Sequence, residues 1–332
     1  MEENLLMLLS FALSKHASDI HFVLSHNTLQ IKLRKIDGIE ELHQDFWNKN
    51  LFEYLKFISG FDLTSPYLPQ SGQFVRTIQN KTICFRFSMI YNQNLQTGVL
   101  RMLNTKKDLK IEELTHNKTA VDFMRSLTHC RQGLILSSGP TNSGKTTTIH
   151  AILHEIAVQS AYKVVSLEDP IEIEDESYLQ LQINEAQGFT YEKGIEELMR
   201  HDPDVIFIGE IRNPTTAAMT LRIALSGHLC FGTIHSSTGR ETVQRLLDFG
   251  LDEHDLQNTL TAILAQRLYK TADGFGRECI YEICEKPCIQ HILKNYQYPK
   301  GHKDLAAEIE TALEHGIIAD RQARYDLVDL QK

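Results

Sequence analysis

Gly139-Pro-Thr-Asn-Ser-Gly-Lys-Thr146 meets the spacing G-x-x-x-x-G-K-[ST] at every fixed position. It follows the apolar run Leu134 to Leu136 and precedes a helix-like stretch, Thr146 to Val158. Glycines at 139 and 144 let the backbone curl so that successive N–H groups point at a polyphosphate, and the helix behind adds the positive end of its dipole. Lys145 then reaches the β- and γ-phosphates, and the Thr146 hydroxyl enters a Mg²⁺ shell. The expected nucleotide-binding set is Gly139, Pro140, Thr141, Asn142, Ser143, Gly144, Lys145, Thr146 and Thr147.

Hydrolysis of a bound triphosphate needs a metal at the β/γ oxygens, a group that orients water, and cations for the charge that develops on the γ-phosphoryl. Three downstream stretches put acids or histidines at strand ends: Leu167-Glu-Asp-Pro-Ile-Glu172, Asp202-Pro-Asp-Val-Ile-Phe-Ile-Gly-Glu-Ile-Arg212, and Gly227-His-Leu-Cys-Phe-Gly-Thr-Ile-His235. Glu168 is the expected general base or water-positioning group, and Glu210 the expected carboxylate of the Mg²⁺ shell. A solvated strand-end carboxylate is the alternative for each. His228 and His235 fit a γ-phosphate sensor or a structural hydrogen bond, because no H-E-x-x-H or Cys/His cluster accompanies them. Beyond Lys145 the loop carries no cation, so arginines from another domain or subunit are expected, and Arg86 and Arg101 are the candidates.

Two other patterns point elsewhere. Thr105-Lys-Lys-Asp108 resembles a guanine-reading T-K-x-D but precedes the phosphate loop, which favours a solvated surface. Cys279, Cys284 and Cys288 are three unevenly spaced cysteines where zinc sites want four ligands, so reduced thiols and no zinc are expected.

The elements that must position these groups fall into two parts. Residues 1–104 read as a small α+β domain: a first amphipathic helix, strands over 17–24 and 29–36, a helix over 48–59, a turn at Pro69 to Gly72, and strands over 73–79, 81–90 and 98–103. Lysines and acids crowd residues 105–118, the expected linker. From 119 to 332 strands and helices alternate, ending in a helical tail. Alternation of this kind makes an α/β domain with a mostly parallel sheet, whose nucleotide chemistry gathers at the carboxyl ends of the strands.

Bulk composition narrows the partners. With 332 residues, 42% hydrophobic and 23% charged, the chain is an ordinary globular sequence. A net charge of −9 gives no global attraction to nucleic acid or anionic lipid, which argues against a nucleic-acid translocase. The acidic start with its short apolar run is neither a signal peptide nor a membrane span.

Taken together, these stretches resemble the secretion ATPases that drive type II secretion, type IV pili and competence pseudopili. Ala17-Ser-Asp-Ile-His21, Arg34 with Asp37-Gly38, and Pro69-Gln70 with Gly72 look like that family's N-terminal, PAS-like domain. Gly139 to Thr148 is similar to its Walker A box, Leu167 to Glu172 to its Asp box, Asp202 to Arg212 to its Walker B box and Gly227 to His235 to its His box. Ala265-Gln-Arg-Leu268 and Gly276-Arg with Ile280-Tyr-Glu-Ile283 match its C-terminal signatures. The resemblance implies a RecA-like ATPase domain using ATP and Mg²⁺, with Glu168 as base, Glu210 as Walker B carboxylate, Arg86 and Arg101 on the γ-phosphate, and His228 and His235 as box histidines. It also implies a homo-hexamer on the cytoplasmic face of the membrane. That ring would work with a polytopic inner-membrane platform protein and indirectly with pseudopilins, and it would not contact nucleic acid directly. Asn142 stands where the family usually has glycine, and Asn213 where it has aspartate. The four-cysteine insertion, the long adaptor domain and the retraction-motor tail are missing. The pattern is therefore most similar to the short competence pseudopilus assembly ATPases of Gram-positive bacteria.

Overall fold

Period-two alternation in the first hundred residues sends one set of side chains inward, and the inward set is large and apolar: Ile20, Phe22, Leu33, Phe85, Phe87 and Leu100 are fully buried. The computed structural model describes residues 1–26, 28–35, 38–42, 47–64, 68–79, 81–92, 95–102, 110–159, 162–274 and 276–330. The chain divides into two compact units, Met1–Lys106 and Lys107–Lys332.

The first unit runs α1 (Glu2–Ser14), β1 (Asp19–Ser25), β2 (Thr28–Lys35), β3 (Gly38–Leu42), α2 (Lys49–Ile58), β4 (Gln70–Ile78), β5 (Lys81–Asn92) and β6 (Leu95–Met102). Its strands form one antiparallel sheet in the order β3-β2-β1-β6-β5-β4. Helix α1 buries Leu5, Leu8 and Leu9, and α2 buries Leu51, Phe52 and Leu55, in the same core as the inward strand residues. Asn48 caps α2 by accepting the Asn50 N–H at 3.0 Å.

Two local features differ from the sequence expectation. Strand β3 is not anticipated, because Gly38-Ile-Glu-Glu-Leu42 lies at an exposed sheet edge and carries no apolar face; Glu40 and Glu41 pair instead with Lys35 and Lys32 across the strands. Pro69 to Gly72 reads as a turn, yet Gln70–Gly72 already belong to β4. Gly72 is there for close approach: a Cβ would lie 1.8 Å from the Ser59 carbonyl oxygen. Asp37 and Thr105 to Asp108 lie outside the described residues.

The second unit begins with a 3₁₀ turn, Ile111–Glu113, then α3 (Lys118–Leu127). Ile111 and Leu114 are buried in its core, so residues 110–118 pack as part of this unit where the sequence suggests a charged linker. Next come β7 (Gly133–Ser138), α4 (Lys145–Gln159), β8 (Val164–Glu168), β9 (Leu179–Gln182), α5 (Tyr191–Leu198), β10 (Val205–Ile208), α6 (Pro214–Leu225) and β11 (Leu229–Ile234). The chain ends with α7 (Gly239–Asp248), α8 (Glu253–Thr259), β12 (Leu260–Lys270), β13 (Arg277–Glu285), α9 (Lys286–Asn295), α10 (Leu305–Glu314) and α11 (Asp320–Leu330).

The sheet order is β13-β12-β7-β11-β10-β8-β9, parallel throughout except for the β12–β13 pair. Strands β7, β8, β10 and β11 are buried at every position, which is why they read as unbroken apolar runs. Alternate residues feed two cores: Leu136, Val165, Ile206 and Ile208 face one, and Ile135, Val164, Phe207 and Phe231 the other. Because β7, β8, β10 and β11 run in one direction, their carboxyl ends share one edge, and residues 139, 169, 209 and 235 leave the sheet there. No helix among the described residues is long and apolar enough to cross a membrane.

Candidate nucleotide-binding and catalytic site

The loop after β7 is built as a phosphate cradle. Gly139 and Gly144 take φ +151° and +91°, conformations that favour glycine. At 139 there is also no room for a side chain, since a Cβ would sit 2.4 Å from Ser143 Oγ and 2.6 Å from the Gln266 carbonyl. Asn142 stands at φ +65°, and asparagine is the residue that best tolerates this left-handed conformation after glycine. The departure at 142 therefore preserves the backbone. Pro140, Thr141 and Asn142 form the exposed crest, and Thr146 and Thr147 occupy the first turn of α4. The buried hydroxyls of Ser138 and Ser143 have no hydrogen-bond partner among the described residues. Orphaned buried donors at a positive helix end are what a polyphosphate would satisfy, so the residues present fit a nucleotide.

A second element props the loop. Gln266 on β12 is fully buried, and its Nε2 donates to the Ser143 carbonyl at 2.9 Å and to Thr148 Oγ1 at 3.2 Å, while its Oε1 accepts from Ser137 Oγ at 2.7 Å. The Ala265-Gln-Arg-Leu268 signature thus has a mechanical meaning. Arg267 follows it, with Nη1 on the Ser237 carbonyl at 3.3 Å and on that of Gln266 at 3.1 Å.

Lys145 folds back on its own loop. Its Nζ donates to the carbonyls of Gly139 at 3.0 Å and Pro140 at 2.9 Å. Burial lowers its pKa to about 8, opposed by the fields of Glu210 and Glu172 and reinforced by Arg267. Glu210, two residues past β10, is the centre of a small network. Its Oε1 lies 3.1 Å from His235 Nε2, and its Oε2 accepts from Arg212 Nε at 2.8 Å and Nη2 at 2.7 Å. Arg212 Nη1 reaches on to Asp169 at 3.1 Å. Burial holds the His235 pKa below its ordinary value, with Lys145 adding to that and Glu210 opposing it.

Within the second unit the structure therefore brings Lys145, Glu210 and His235 together and sets Glu168 and His228 apart from them. Glu168 ends β8 at the same edge, but it is buried and turned inward: Oε1 accepts from Ser166 Oγ at 2.6 Å and Gln180 Nε2 at 3.1 Å, and Oε2 faces His150 Nε2 at 3.2 Å. Glu172 is exposed, and of the acids in that box it is the one whose charge raises the Lys145 pKa. His228 stands before β11, at the opposite end of a six-residue strand. A strand that long spans about 20 Å, so His228 does not share this site with His235. Its Nδ1 is held by Ser226 Oγ at 2.9 Å.

Arg86 and Arg101 lie in the first unit, directly opposite each other on β5 and β6. The row continues in register through Asp19 on β1 to Arg34 on β2, which gives three arginines and one acid on one face of the sheet. Arg101 Nε donates to Asp19 at 2.8 Å, and Arg86 Nε to Ser71 Oγ at 3.2 Å. Sequence reasoning missed Glu172, Arg212, Gln266 and Arg34 as parts of these constellations, although each lies in a motif it had already marked.

A mostly parallel sheet covered on both faces, with a phosphate loop behind a central strand and an acid beyond a neighbouring one, defines a RecA-like P-loop ATPase. The chain belongs to the Type II/IV secretion system protein family, whose model matches residues 1–312. It is similar to the competence protein ComGA of Bacillus subtilis (strain 168), 33% identical over 276 residues, covering 82% of this chain and 75% of that one. It is also similar to type II secretion system protein E of Aeromonas hydrophila, 33% identical over 269 residues and 80% of this chain, but spanning only 53% of that longer protein. Among solved structures, the pilus retraction motor PilT with bound ADP superposes with a TM-score of 0.74 at 25% identity, covering 97% of this chain and 96% of that one. The ATPase DotB of Legionella pneumophila shares the fold, with a TM-score of 0.75 at 20% identity and coverage of 97% and 94%.

Proposed function

We propose that this ATPase works as a homo-hexameric motor that assembles a type IV pilus-like competence pseudopilus for DNA uptake. The convergence of Lys145, Glu210 and His235 beside a strained phosphate loop supports ATP turnover, and the likeness to competence proteins supports the load. Thr146 and Glu210 would hold the Mg²⁺ that accompanies ATP, which neutralises phosphate charge when bound. Glu210 orients the attacking water together with Glu172, and His235, kept neutral by burial, senses the γ-phosphate. Glu168 acts from behind, holding β8 to α4 through His150.

Arg86 and Arg101 are the cations offered to the γ-phosphoryl. Like charges directly opposite on neighbouring strands repel, and one acid does not balance three arginines, so the row is suited to an anion. In this reading hydrolysis delivers work to a polytopic membrane platform protein at the cytoplasmic face. Pseudopilins are moved through that platform, and nucleic acid is not contacted by the motor itself.

A pilus-retraction or type II secretion motor is the second reading, favoured by the likeness to those proteins. Deleting the gene separates the two, because loss of the external filament fits assembly and filaments that persist without shortening fit retraction. ATPase activity measured against oligomer size tests the motor itself. Activity confined to the ring supports arginines supplied across subunits, whereas a fully active monomer refutes them.

A further inference from the structure

Away from the nucleotide loop, four heteroatom-bearing side chains converge in the second unit. Cys284 and Glu282 come from β13, Cys288 from the first turn of α9, and His302 from the segment before α10. Glu282 and Cys284 are fully buried, Cys288 is 8% exposed and the His302 side chain 9% exposed. One donor atom each from Cys284, Cys288 and His302 can be chosen so that all lie within 4.8 Å of one another. His302 Nε2 lies 3.8 Å from Cys284 Sγ and 3.4 Å from Glu282 Oε1; Cys284 Sγ lies 3.3 Å from Glu282 Oε1, and Cys288 Sγ lies 3.6 Å from His302 Nδ1.

Those separations decide between two accounts. In a cluster held by hydrogen bonds alone, thiols contribute little, since S–H is a weak donor, and two of them need not point at one ring. Around a tetrahedral zinc with Zn–S of about 2.3 Å and Zn–N or Zn–O of about 2.0 Å, neighbouring ligand atoms stand about 3.3–3.8 Å apart. Cys284 Sγ, Glu282 Oε1 and His302 Nε2 match that spacing, while Cys288 Sγ lies nearest the other ring nitrogen and would close on the same metal from within the 4.8 Å cluster. We propose that Cys284, Cys288 and His302, with Glu282 as the fourth donor, form a structural zinc site that ties β13, α9 and the segment before α10 together. Two thiolates with one nitrogen and one oxygen suit zinc over magnesium or calcium, and a closed, buried shell suits a structural role over a catalytic one. The C-x₃-C spacing is visible in the sequence, but the histidine arrives from a distance and the fourth donor is not a cysteine, so spacing alone predicts no zinc. Cys279 is separate: its Sγ accepts from Gln266 Nε2 at 3.2 Å beneath the phosphate loop.

The site also carries weight for its neighbours. Gly239 opens α7 against it, donating its N–H to both Glu282 oxygens at 3.2 and 3.3 Å. A Cβ there would lie 2.4 Å from Cys284 Sγ. Tyr298 stacks on the His302 ring at 4.6 Å between centroids and accepts the Arg240 N–H at 3.1 Å. The start of α7, four residues after His235, is thereby anchored to the ligand set.

The test is metal content of the purified full chain by mass spectrometry after exhaustive dialysis. About one zinc per chain is expected, lost in Cys284→Ser/Cys288→Ser and in His302→Ala. Zinc retained at full stoichiometry by both folded variants overturns the proposal. Should the variants fail to fold, the parent chain, stripped and reloaded with cobalt(II), decides the question. Tetrahedral visible bands with sulfur-to-cobalt charge transfer are expected. A folded parent that purifies without zinc and shows no such absorption sinks the idea.

Discussion

Glu210 and His235 meet at 3.1 Å between Oε1 and Nε2, while Arg212 holds the other oxygen of Glu210. The carboxylate therefore sits with one side fixed by a cation and the other facing a neutral ring and the Lys145 loop. Replacing it with the isosteric amide keeps the shape and removes the charge. Glu210→Gln should still bind ATP but lose turnover by about 10²-fold or more. Fluorescent-nucleotide affinity and steady-state hydrolysis check this, and an unchanged kcat would count against the assignment.

The Asp box holds two acids with opposite surroundings. Glu168 is buried with three partners, so Glu168→Gln should lower the melting temperature, through loss of hydrogen bonds worth on the order of 1–3 kcal/mol to a charged group. Glu172 is exposed and feels Lys145, so Glu172→Gln should leave melting unchanged and slow hydrolysis. Melting curves beside turnover separate the pair. A Glu168→Gln chain that melts normally and is catalytically dead would restore the base role to Glu168.

Arg86 and Arg101 share a register but not an environment. Arg101 is the cationic partner of Asp19, whose side chain is only 2% exposed, so Arg101→Ala leaves a buried acid with the Ser18 hydroxyl but without its ion pair and should destabilise the first unit by on the order of 1–3 kcal/mol. Arg86 donates only to Ser71 among the partners described, and Arg86→Ala should fold normally. In the ring both variants should lose ATP turnover with little change in ATP affinity. Normal turnover by folded Arg86→Ala would remove the arginine row from the mechanism.

How much of this was legible in the residues follows from how local each feature is. The phosphate loop, the strands β7, β8, β10 and β11 and helices α4 and α6 stand out because a glycine pattern or an unbroken apolar run depends only on neighbours in sequence. Gln266 did not, since its meaning is three hydrogen bonds to residues more than a hundred positions away. For His228 the residues leave a phosphate sensor and a structural hydrogen bond open, and only its contact with Ser226 at the far end of β11 shows the second. The pairing of Arg101 with Asp19 needs the strand order, which no single strand reveals.

Lys145 makes nucleotide affinity depend on pH. Its pKa of about 8 in the free chain lies below that of an ordinary lysine, so the ammonium form destabilises the fold at pH below 8, and that cost is relieved as pH rises toward the unfolded value. A bound polyphosphate favours the charged form. Above pH 8 the free chain must therefore take up a proton as ATP binds, and affinity should weaken toward about tenfold per pH unit. Calorimetry in two buffers of different ionisation heat should show this uptake at pH 8.5 and almost none at pH 7. Equal proton uptake at both would mean that Lys145 does not titrate on binding.

Gln266 offers a test of whether the signature on β12 serves the loop or merely the core. Gln266→Leu keeps the volume but leaves the Ser143 carbonyl and the Ser137 hydroxyl without their buried partner, a loss of on the order of 1–3 kcal/mol. If the glutamine only fills space, the chain should melt lower with its ATP kinetics intact. If it holds the cradle open, KM for ATP should rise about tenfold at temperatures where the variant is fully folded, because the loop must reorder before its N–H groups converge on phosphate. The structure favours the second outcome, since Gln266 touches both ends of the loop: Ser137 before it and Thr148 in the helix that follows.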